Sequence, residues 1–205
     1  MSAVGIPALQ GGEDVKENLE ITVERVTVGA QPAGAMLAAA ADPQLAPIIE
    51  QGFVMVVDPG FFSMDWLTLQ DGQIVRSLSG TNMRAVSLVL ERAAELIGRN
   101  AGGRVPRETL EHAVRSSAPT IFVAGQAFDF WPTLEAAAQE VGADSVREIV
   151  NQLRVEDRPL DLVLVTGGGA DIYKSVLDAM LPGVRVQVMP NPVLANARGF
   201  WLCGS

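Results

Sequence analysis

A run of five apolar residues at positions 53–57 (Phe-Val-Met-Val-Val) is followed at once by the turn signal Asp58-Pro59-Gly60. A strand buried on both faces has a continuous apolar run of this kind, so we expect a central strand here. A second strand is predicted at residues 64–69 and, after the hairpin signal Asp71-Gly72, a third at residues 74–78. Three strands joined by turns this short predict an antiparallel meander, so the fold must be built on a sheet.

Helical and strand patterns alternate after the meander. The order predicts an α/β fold with a mixed five-stranded sheet, covered on both faces, and a small inserted lobe at about residues 100–131. Upstream, a strand at residues 21–28 and an Ala-rich helix at residues 33–41 are predicted, and we expect residues 1–20 to be poorly ordered. The predicted helices after the meander are 83–97, 106–114, 132–153, 171–180 and 192–203, and the predicted strands are two short ones within 120–130, then 160–165 and 184–188.

The chain contains one histidine, His112, and one cysteine, Cys203. A structural zinc site takes four Cys or His ligands and a disulfide takes two cysteines, so the chain can form neither by itself. A serine or cysteine hydrolase would have to use His112, which lies in an ordinary helical pattern with no nucleophile motif beside it. The chemistry that remains uses carboxylates, backbone amides, glycines and a carboxylate-held Mg2+.

Acidic residues outnumber basic ones by 24 to 15, which gives a net charge of −9. Nucleic acids and anionic membranes are bound by basic patches, so we expect neither as a direct partner. No apolar stretch is long enough for a membrane span, and the first residues lack the pattern of a secretory signal. Together with the single cysteine, these features predict a cytoplasmic protein.

Two acidic residues flank a short turn in the motif Asp58-x-Gly60-x-x-Ser63-x-Asp65. Asp58 ends the first predicted strand and Asp65 begins the second, so we expect both at one rim of the sheet. A glycine and a hydroxyl in the turn between them suit a phosphate, and two carboxylates suit a hydrated Mg2+. The same residues are also consistent with a plain turn followed by an exposed Asp65.

Gly167, Gly168 and Gly169, followed by Ala170, lie between a predicted buried strand and a helix. Three residues without side chains let a flat or anionic ligand approach the backbone at the start of the helix. Tight packing between strand and helix would require the same glycines, and the pattern alone does not separate the two. Gln31, at the start of the Ala-rich helix, is a candidate for orienting an attacking water, or else a plain exposed cap.

Taken in this order, these segments resemble the actin-like ATPase superfamily, and within it the plasmid-segregation actins of the ParM/StbA type, with a PRTRC protein D-like subgroup as the nearest. Residues 56–69 (VVDPGFFSMDWLTL) are similar to the family's second phosphate motif, and residues 164–172 (LVTGGGADI) to its adenosine motif. Residues 26–37 (VTVGAQPAGAML) are similar to the segment that enters the helix before the second phosphate motif. Residues 191–204 (NPVLANARGFWLCG) are similar to the terminal helix.

The resemblance implies a role for each matching residue. Asp58 corresponds to the Asp that holds Mg2+ through water, and Asp65 to a later Asp near the metal and the attacking water. Gln31 corresponds to a Gln or Glu that positions this water. The residues implied to contact the nucleotide are Gly60 and Ser63 at the phosphates and Gly167, Gly168, Gly169 and Ala170 at the adenosine.

The function that the resemblance implies is hydrolysis of ATP (or GTP) with Mg2+ by a protein that self-associates into filaments for plasmid segregation and binds a partition adaptor protein. The family has two domains that enclose the nucleotide, and its first phosphate motif has no counterpart before Ile21. We therefore expect residues 21–50 to be the end of the first actin-like domain and residues 51–205 to be the second. Because stabilisation of the transferred phosphoryl group needs donors from several sides, we expect weak nucleotide binding and little hydrolysis unless the first domain completes the ATPase.

Phe61 and Phe62 depart from the family pattern, which often has small Gly or Thr residues within the phosphate motif. If these rings fill the phosphate site, the chain is a non-catalytic actin-fold interaction or assembly module. A fragment of a sugar or acyl kinase with the same fold is a further alternative.

Overall fold

The structure, a computed structural model, describes residues 22–23, 26, 28–154 and 156–204. The segment predicted to be poorly ordered, residues 1–20, lies outside the described residues. A strand is predicted at residues 21–28, but the residues described within this range do not form one. Val23, Val26 and Val28 are exposed.

Eight helices and eight strands, counted over the described residues, make up the fold. The strands are β1 (Phe53–Pro59), β2 (Met64–Gln70), β3 (Gln73–Ile74), β4 (Gly80–Asn82), β5 (Ile121–Val123), β6 (Gln126–Phe128), β7 (Leu162–Val165) and β8 (Arg185–Val188). The helices are α1 (Gln31–Ala40), α2 (Ala46–Gln51), α3 (Val86–Ala101), α4 (Arg107–Arg115), α5 (Trp131–Ala137), α6 (Ala143–Leu153), α7 (Ala170–Met180) and α8 (Ala195–Gly204).

The central sheet is mixed and has the strand order β3-β2-β1-β7-β8. β1 is antiparallel to β2 and parallel to β7, and β7 is parallel to β8. This confirms the predicted sheet of five strands, to which β4 adds a sixth by pairing with the same strand as β3. Because β1 and β7 run in the same direction, the segments that follow them leave the sheet at the same edge.

The third strand of the meander is shorter than the sequence predicts. Pairing stops after β3, a 3-10 turn (Arg76–Leu78) follows, and pairing resumes in β4. In this gap the side chain of Ser79 replaces backbone hydrogen bonds between the strands. Its hydroxyl accepts a hydrogen bond from the Thr68 N–H at 3.0 Å and donates one to the Val75 carbonyl at 2.9 Å. The prediction of a continuous strand at 74–78 was therefore wrong, although Leu78 is buried as a strand residue would be.

Helices cover both faces of the sheet, as the sequence predicts. Alternate residues of β1 separate into two apolar clusters: Met55 and Val57 pack with α3, α5, α6 and α7, and Val54 and Val56 pack with α1, α2 and α8. Asp58 lies on the same face of β1 as Val54 and Val56, so it is on the side of the sheet covered by α1 and α8. No helix in the described part of the chain combines the length and apolar character needed to cross a membrane.

The segment between α3 and α5 lies within residues 100–131, where the sequence predicts a small inserted lobe. It consists of α4 and the hairpin β5–β6, which turns at Ala124 and Gly125 with φ of 49° and 80°. The lobe packs through Leu110, Ile121 and Val123 onto the same apolar cluster as α3. The long helix predicted at residues 132–153 is present as α5 and α6, joined through a single π-helical turn (Ala138–Gly142).

Candidate functional site

The two acidic residues of the first motif lie opposite each other across the β1–β2 ladder. The register pairs Asp58 with Asp65, so both side chains are on the same face of the sheet. Asp58 is only 2% exposed, whereas Asp65 is half-buried. Both carboxylates are thus at one rim of the sheet, on the side covered by α1 and α8.

The turn between these strands is closed by its own hydrogen bonds. The Gly60 N–H donates to the Ser63 carbonyl at 2.8 Å, and the Ser63 hydroxyl donates to Asp65 Oδ2 at 3.0 Å. A side chain at position 60 would come within 2.9 Å of the Ser63 carbonyl, so the turn is built around glycine. The Ser63 hydroxyl orients the carboxylate of Asp65.

The glycine loop (residues 167–169) follows β7 and reaches the same edge of the sheet. A Cβ atom at Gly167, where φ is +78°, would lie 2.0 Å from Asp58 Oδ1, and one at Gly169 would lie 2.7 Å from the Pro59 carbonyl. The Gly169 N–H donates to that carbonyl at 2.8 Å. The first and third glycines therefore let the loop pack against the end of β1.

Gly168, by contrast, faces open space. No atom lies within 4 Å of the position that its Cβ would occupy, and its N–H donates to no other described residue. A free N–H group on an open turn suits an oxygen of an anionic ligand. Ala170, the first residue of α7, is buried directly behind it.

Asp58 carries the most unusual electrostatic environment of the site. Its Oδ2 accepts from Asn196 Nδ2 at 2.7 Å, while its Oδ1 is buried with no hydrogen-bond partner among the described residues. Burial raises the pKa of Asp58 and the charge of Asp65 raises it further, against the hydrogen bond from Asn196, which lowers it. Oδ1 is therefore a buried acceptor to which no described residue donates.

Gln31 is the first residue of α1 and is exposed, with no side-chain hydrogen bond to another described residue. One turn later, the Ala35 N–H donates to Asn196 Oδ1 at 3.1 Å, and Asn196 in turn binds Asp58. The start of α1 is therefore connected to Asp58 through Asn196. The structure shows no direct contact between Gln31 and either carboxylate.

Asn196 and Thr166 are buried polar residues at the site that the sequence analysis missed. The Thr166 hydroxyl and the Gly167 N–H both donate to the Pro192 carbonyl, at 2.8 and 2.9 Å, which fixes the glycine loop to the segment before α8. The available signal for Asn196 was a polar amide in a helix otherwise rich in small and apolar residues. That signal does not reveal a partner 138 residues away in sequence.

A cavity of about 90 Å³ opens between the turn after β1, the glycine loop and α4 of the lobe. Its walls include Gly60, Phe61 and Gly168, and on the side of α4 the ion pair of Glu111 with Arg115, whose charged atoms are 2.8 Å apart. Phe61 packs against the apolar core and Arg107 lies 5.4 Å above its ring, whereas Phe62 is 63% exposed. Glu111 and Arg115 are further candidates for ligand contact.

The chemistry of the two carboxylates is of the kind that binds a hydrated divalent cation. The described residues contain no cluster of three or more His, Cys, Asp or Glu side chains that could hold a metal ion. Mg2+ commonly binds through one or two carboxylates together with water and phosphate oxygens. Asp58, with its unpartnered oxygen, and Asp65 opposite it meet this requirement.

Comparison with known proteins places the chain among actin homologues. A family model described as "Archaeal actin homologue MreB-like, C-terminal" matches residues 56–179, which is more than half of the chain. An archaeal actin homologue of Thermoplasma volcanium is 29% identical over 167 residues, covering 75% of this chain and 48% of the relative.

Solved structures show the same fold. The archaeal actin homologue Ta0583 in complex with ADP superposes with a TM-score of 0.68 at 23% identity, covering 83% of this chain and 55% of that one. A 15-stranded ParM filament from Clostridium botulinum gives a TM-score of 0.69 at 19% identity, covering 92% and 55%. The chain spans about half the length of these relatives.

Proposed function

The chain belongs to the family of archaeal MreB-like actin homologues, and on this premise we propose that it binds a purine nucleotide with Mg2+ at the edge formed by Asp58, Asp65 and the glycine loop. The observation that carries the proposal is the buried Asp58 carboxylate, whose Oδ1 has no partner among the described residues although it lies beside Gly167. Leaving a buried acceptor unpaired costs free energy, and such a cost is commonly retained where a ligand completes the site.

Each element of the edge suits one part of a Mg2+-nucleotide. Gly60 and Ser63 would contact the phosphates. Gly167, Gly168, Gly169 and Ala170 would contact the adenosine, where the open N–H of Gly168 suits an oxygen of the ligand. Asp58 and Asp65 would hold Mg2+ through its water. The cation would supply positive charge that neutralises the nucleotide phosphates. The ADP complex of an archaeal actin homologue with the same fold supports nucleotide binding.

We further propose that the chain is the second domain of an ATPase using ATP or GTP, with residues 21–50 as the end of the first domain. Gln31, at the start of α1, would orient the attacking water and Asp65 would lie near it. The whole protein would form filaments for plasmid segregation and bind a partition adaptor protein. Support comes from the ParM-type motifs and from the filament structure among the relatives of the same fold.

Isothermal titration calorimetry with ADP tests the nucleotide site. The wild-type chain is expected to bind ADP weakly and to bind it more tightly with Mg2+ than with EDTA. Asp58→Ala should remove the Mg2+-dependent gain, because it deletes the buried carboxylate oxygen. Arg147→Ala, on the exposed surface of α6, is the control and should bind like the wild type. Equal binding by Asp58→Ala and wild type would contradict the proposal.

A second candidate is the non-catalytic assembly module, which the size of the cavity favours. About 90 Å³ is below the roughly 300–1,000 Å³ typical of ligand pockets, and Phe61 forms part of its wall. Phe61→Gly separates the two functions. If the ring only narrows a nucleotide site, the variant should bind ADP at least as well as wild type. If it fills a site that has lost nucleotide binding, neither protein should bind.

A further inference from the structure

Asn196 lies where α1, α8 and the end of β1 meet. The residue is 9% exposed, and its side chain makes two buried hydrogen bonds to different elements. Asn196 Oδ1 accepts from the backbone N–H of Ala35 in α1 at 3.1 Å, and Asn196 Nδ2 donates to Asp58 Oδ2 at 2.7 Å. One carboxamide thus connects two helices to the buried carboxylate.

The chemistry of the partners fixes the orientation of this carboxamide. A backbone N–H can only donate, so the amide oxygen of Asn196 must face Ala35. The NH2 group is then turned towards Asp58 and offers it a donor whether the carboxyl is ionised or not. A donor held in this direction selects Oδ2 as the paired oxygen of Asp58 and leaves Oδ1 unpaired.

The backbone that carries Asn196 has little freedom to move. α1 and α8 cross in close contact, since a Cβ atom at Gly34 would lie 2.2 Å from the Asn196 carbonyl oxygen and one at Gly199 would lie 1.6 Å from the Gly34 carbonyl oxygen. Contacts this close are possible only between glycines and backbone. The helix crossing therefore sets the position of the amide.

We propose that Asn196 is a positioning residue for Asp58: it holds one carboxylate oxygen against the crossing of α1 and α8 and leaves the other free for the Mg2+-nucleotide. This inference rests on the proposed function, because it takes Asp58 as the residue that faces the cation. Asn196 acts on the ligand only through Asp58.

A double-mutant cycle separates this role from plain core packing. The affinity for ADP is measured with Mg2+ and with EDTA for wild type, Asn196→Ala, Asp58→Ala and the double variant. Asn196→Ala should weaken binding about tenfold with Mg2+, as expected for the loss of one hydrogen bond to a charged group, and change it little with EDTA. In the Asp58→Ala background, Asn196→Ala should have no further effect. Arg198→Ala, on the exposed face of the same helix, is the control.

A nucleotide-free measurement keeps the inference testable if ADP does not bind or if Asn196→Ala does not fold. The side-chain NH2 protons of Asn196 should exchange slowly with water in the NMR spectrum of the wild type, and faster in Asp58→Ala. Protection in the wild type without ADP binding would contradict the proposed function while supporting the Asn196–Asp58 bond. Three results would overturn the inference. The first is an exchange rate that does not change in Asp58→Ala, and the second is a loss of ADP affinity in Asn196→Ala that is equal with Mg2+ and with EDTA. The third is that the effects of the two substitutions on ADP affinity add up in the double variant.

Discussion

At the scale of single residues, Asp58 shows how the fold holds an acid in an environment that disfavours its charge. Burial removes water from the carboxylate, Asp65 adds a like charge, and one hydrogen bond from Asn196 compensates in part. An aspartate could be recognised in the sequence at the end of an apolar run. Its burial and its partner in α8 depend on contacts made by distant segments, so the sequence pattern did not reveal them.

The raised pKa of Asp58 predicts a specific dependence of stability on pH. Between pH 3.8, the ordinary pKa of this group, and its raised native pKa, the native state retains a proton that the unfolded chain has released. The free energy of unfolding therefore falls as pH rises through the native pKa. Asp58→Asn removes this loss, so the variant should gain stability relative to wild type as pH rises, measured by urea unfolding without Mg2+. A difference that does not change with pH would contradict the assignment.

Gly167 and Gly168 make a matched pair for testing the glycine loop. Gly167→Ala introduces a side chain where φ is +78° and a Cβ would lie 2.0 Å from Asp58 Oδ1, so we expect a loss of roughly 1–3 kcal/mol or more in the free energy of unfolding. Gly168→Ala, in open space, should change stability by less than about 0.5 kcal/mol. Urea unfolding measures both. Similar losses for the two variants would contradict the described loop geometry.

At the scale of elements, the two motifs come together because β1 and β7 are parallel neighbours. The apolar runs, turn signals and helical periodicity predicted these strands, the layers on both faces and the lobe, since each of these features is local. The sequence did not predict the break in the third strand, because the side chain of Ser79 replaces ladder bonds there. It also did not predict the contact between α8 and Asp58, which depends on how two helices cross.

Ser79 provides a test of the interrupted strand. Ser79→Ala removes the acceptor for the Thr68 N–H and the donor to the Val75 carbonyl, so we expect a loss of about 1–3 kcal/mol in the free energy of unfolding. Ser77→Ala, on the exposed side of the same turn, should cost less than about 0.5 kcal/mol. If the two variants unfold at the same urea concentration, Ser79 does not replace the ladder as described.

The crossing of α1 and α8 reverses the usual effect of a helix substitution. Gly→Ala inside a helix ordinarily stabilises by about 1 kcal/mol. Gly199→Ala should instead destabilise, because the new Cβ would lie 1.6 Å from the Gly34 carbonyl oxygen. Thermal unfolding by circular dichroism should show a lower midpoint than wild type. An unchanged or higher midpoint would mean that the helices can separate without cost.

At the scale of the whole molecule, the fold brings the turn between β1 and β2, the glycine loop and α4 of the lobe to a common edge of the sheet. The chain spans about half the length of its relatives. It supplies the carboxylates and the glycine loop, and we expect binding by this chain alone to be weak because donors approach the ligand from one side. Weak binding of a nucleotide can be detected by NMR, which reports a separate signal for each residue.

The most direct test of the nucleotide site is a titration of the 15N-labelled chain with ADP and Mg2+, followed in two-dimensional NMR spectra. The largest shifts should occur at residues 58–65 and 167–171, with smaller ones near Glu111 on α4. EDTA should reduce the shifts around Asp58. An unchanged spectrum at saturating nucleotide would contradict the proposed site. So would shifts confined to residues 98–108, which line a separate groove beside α3.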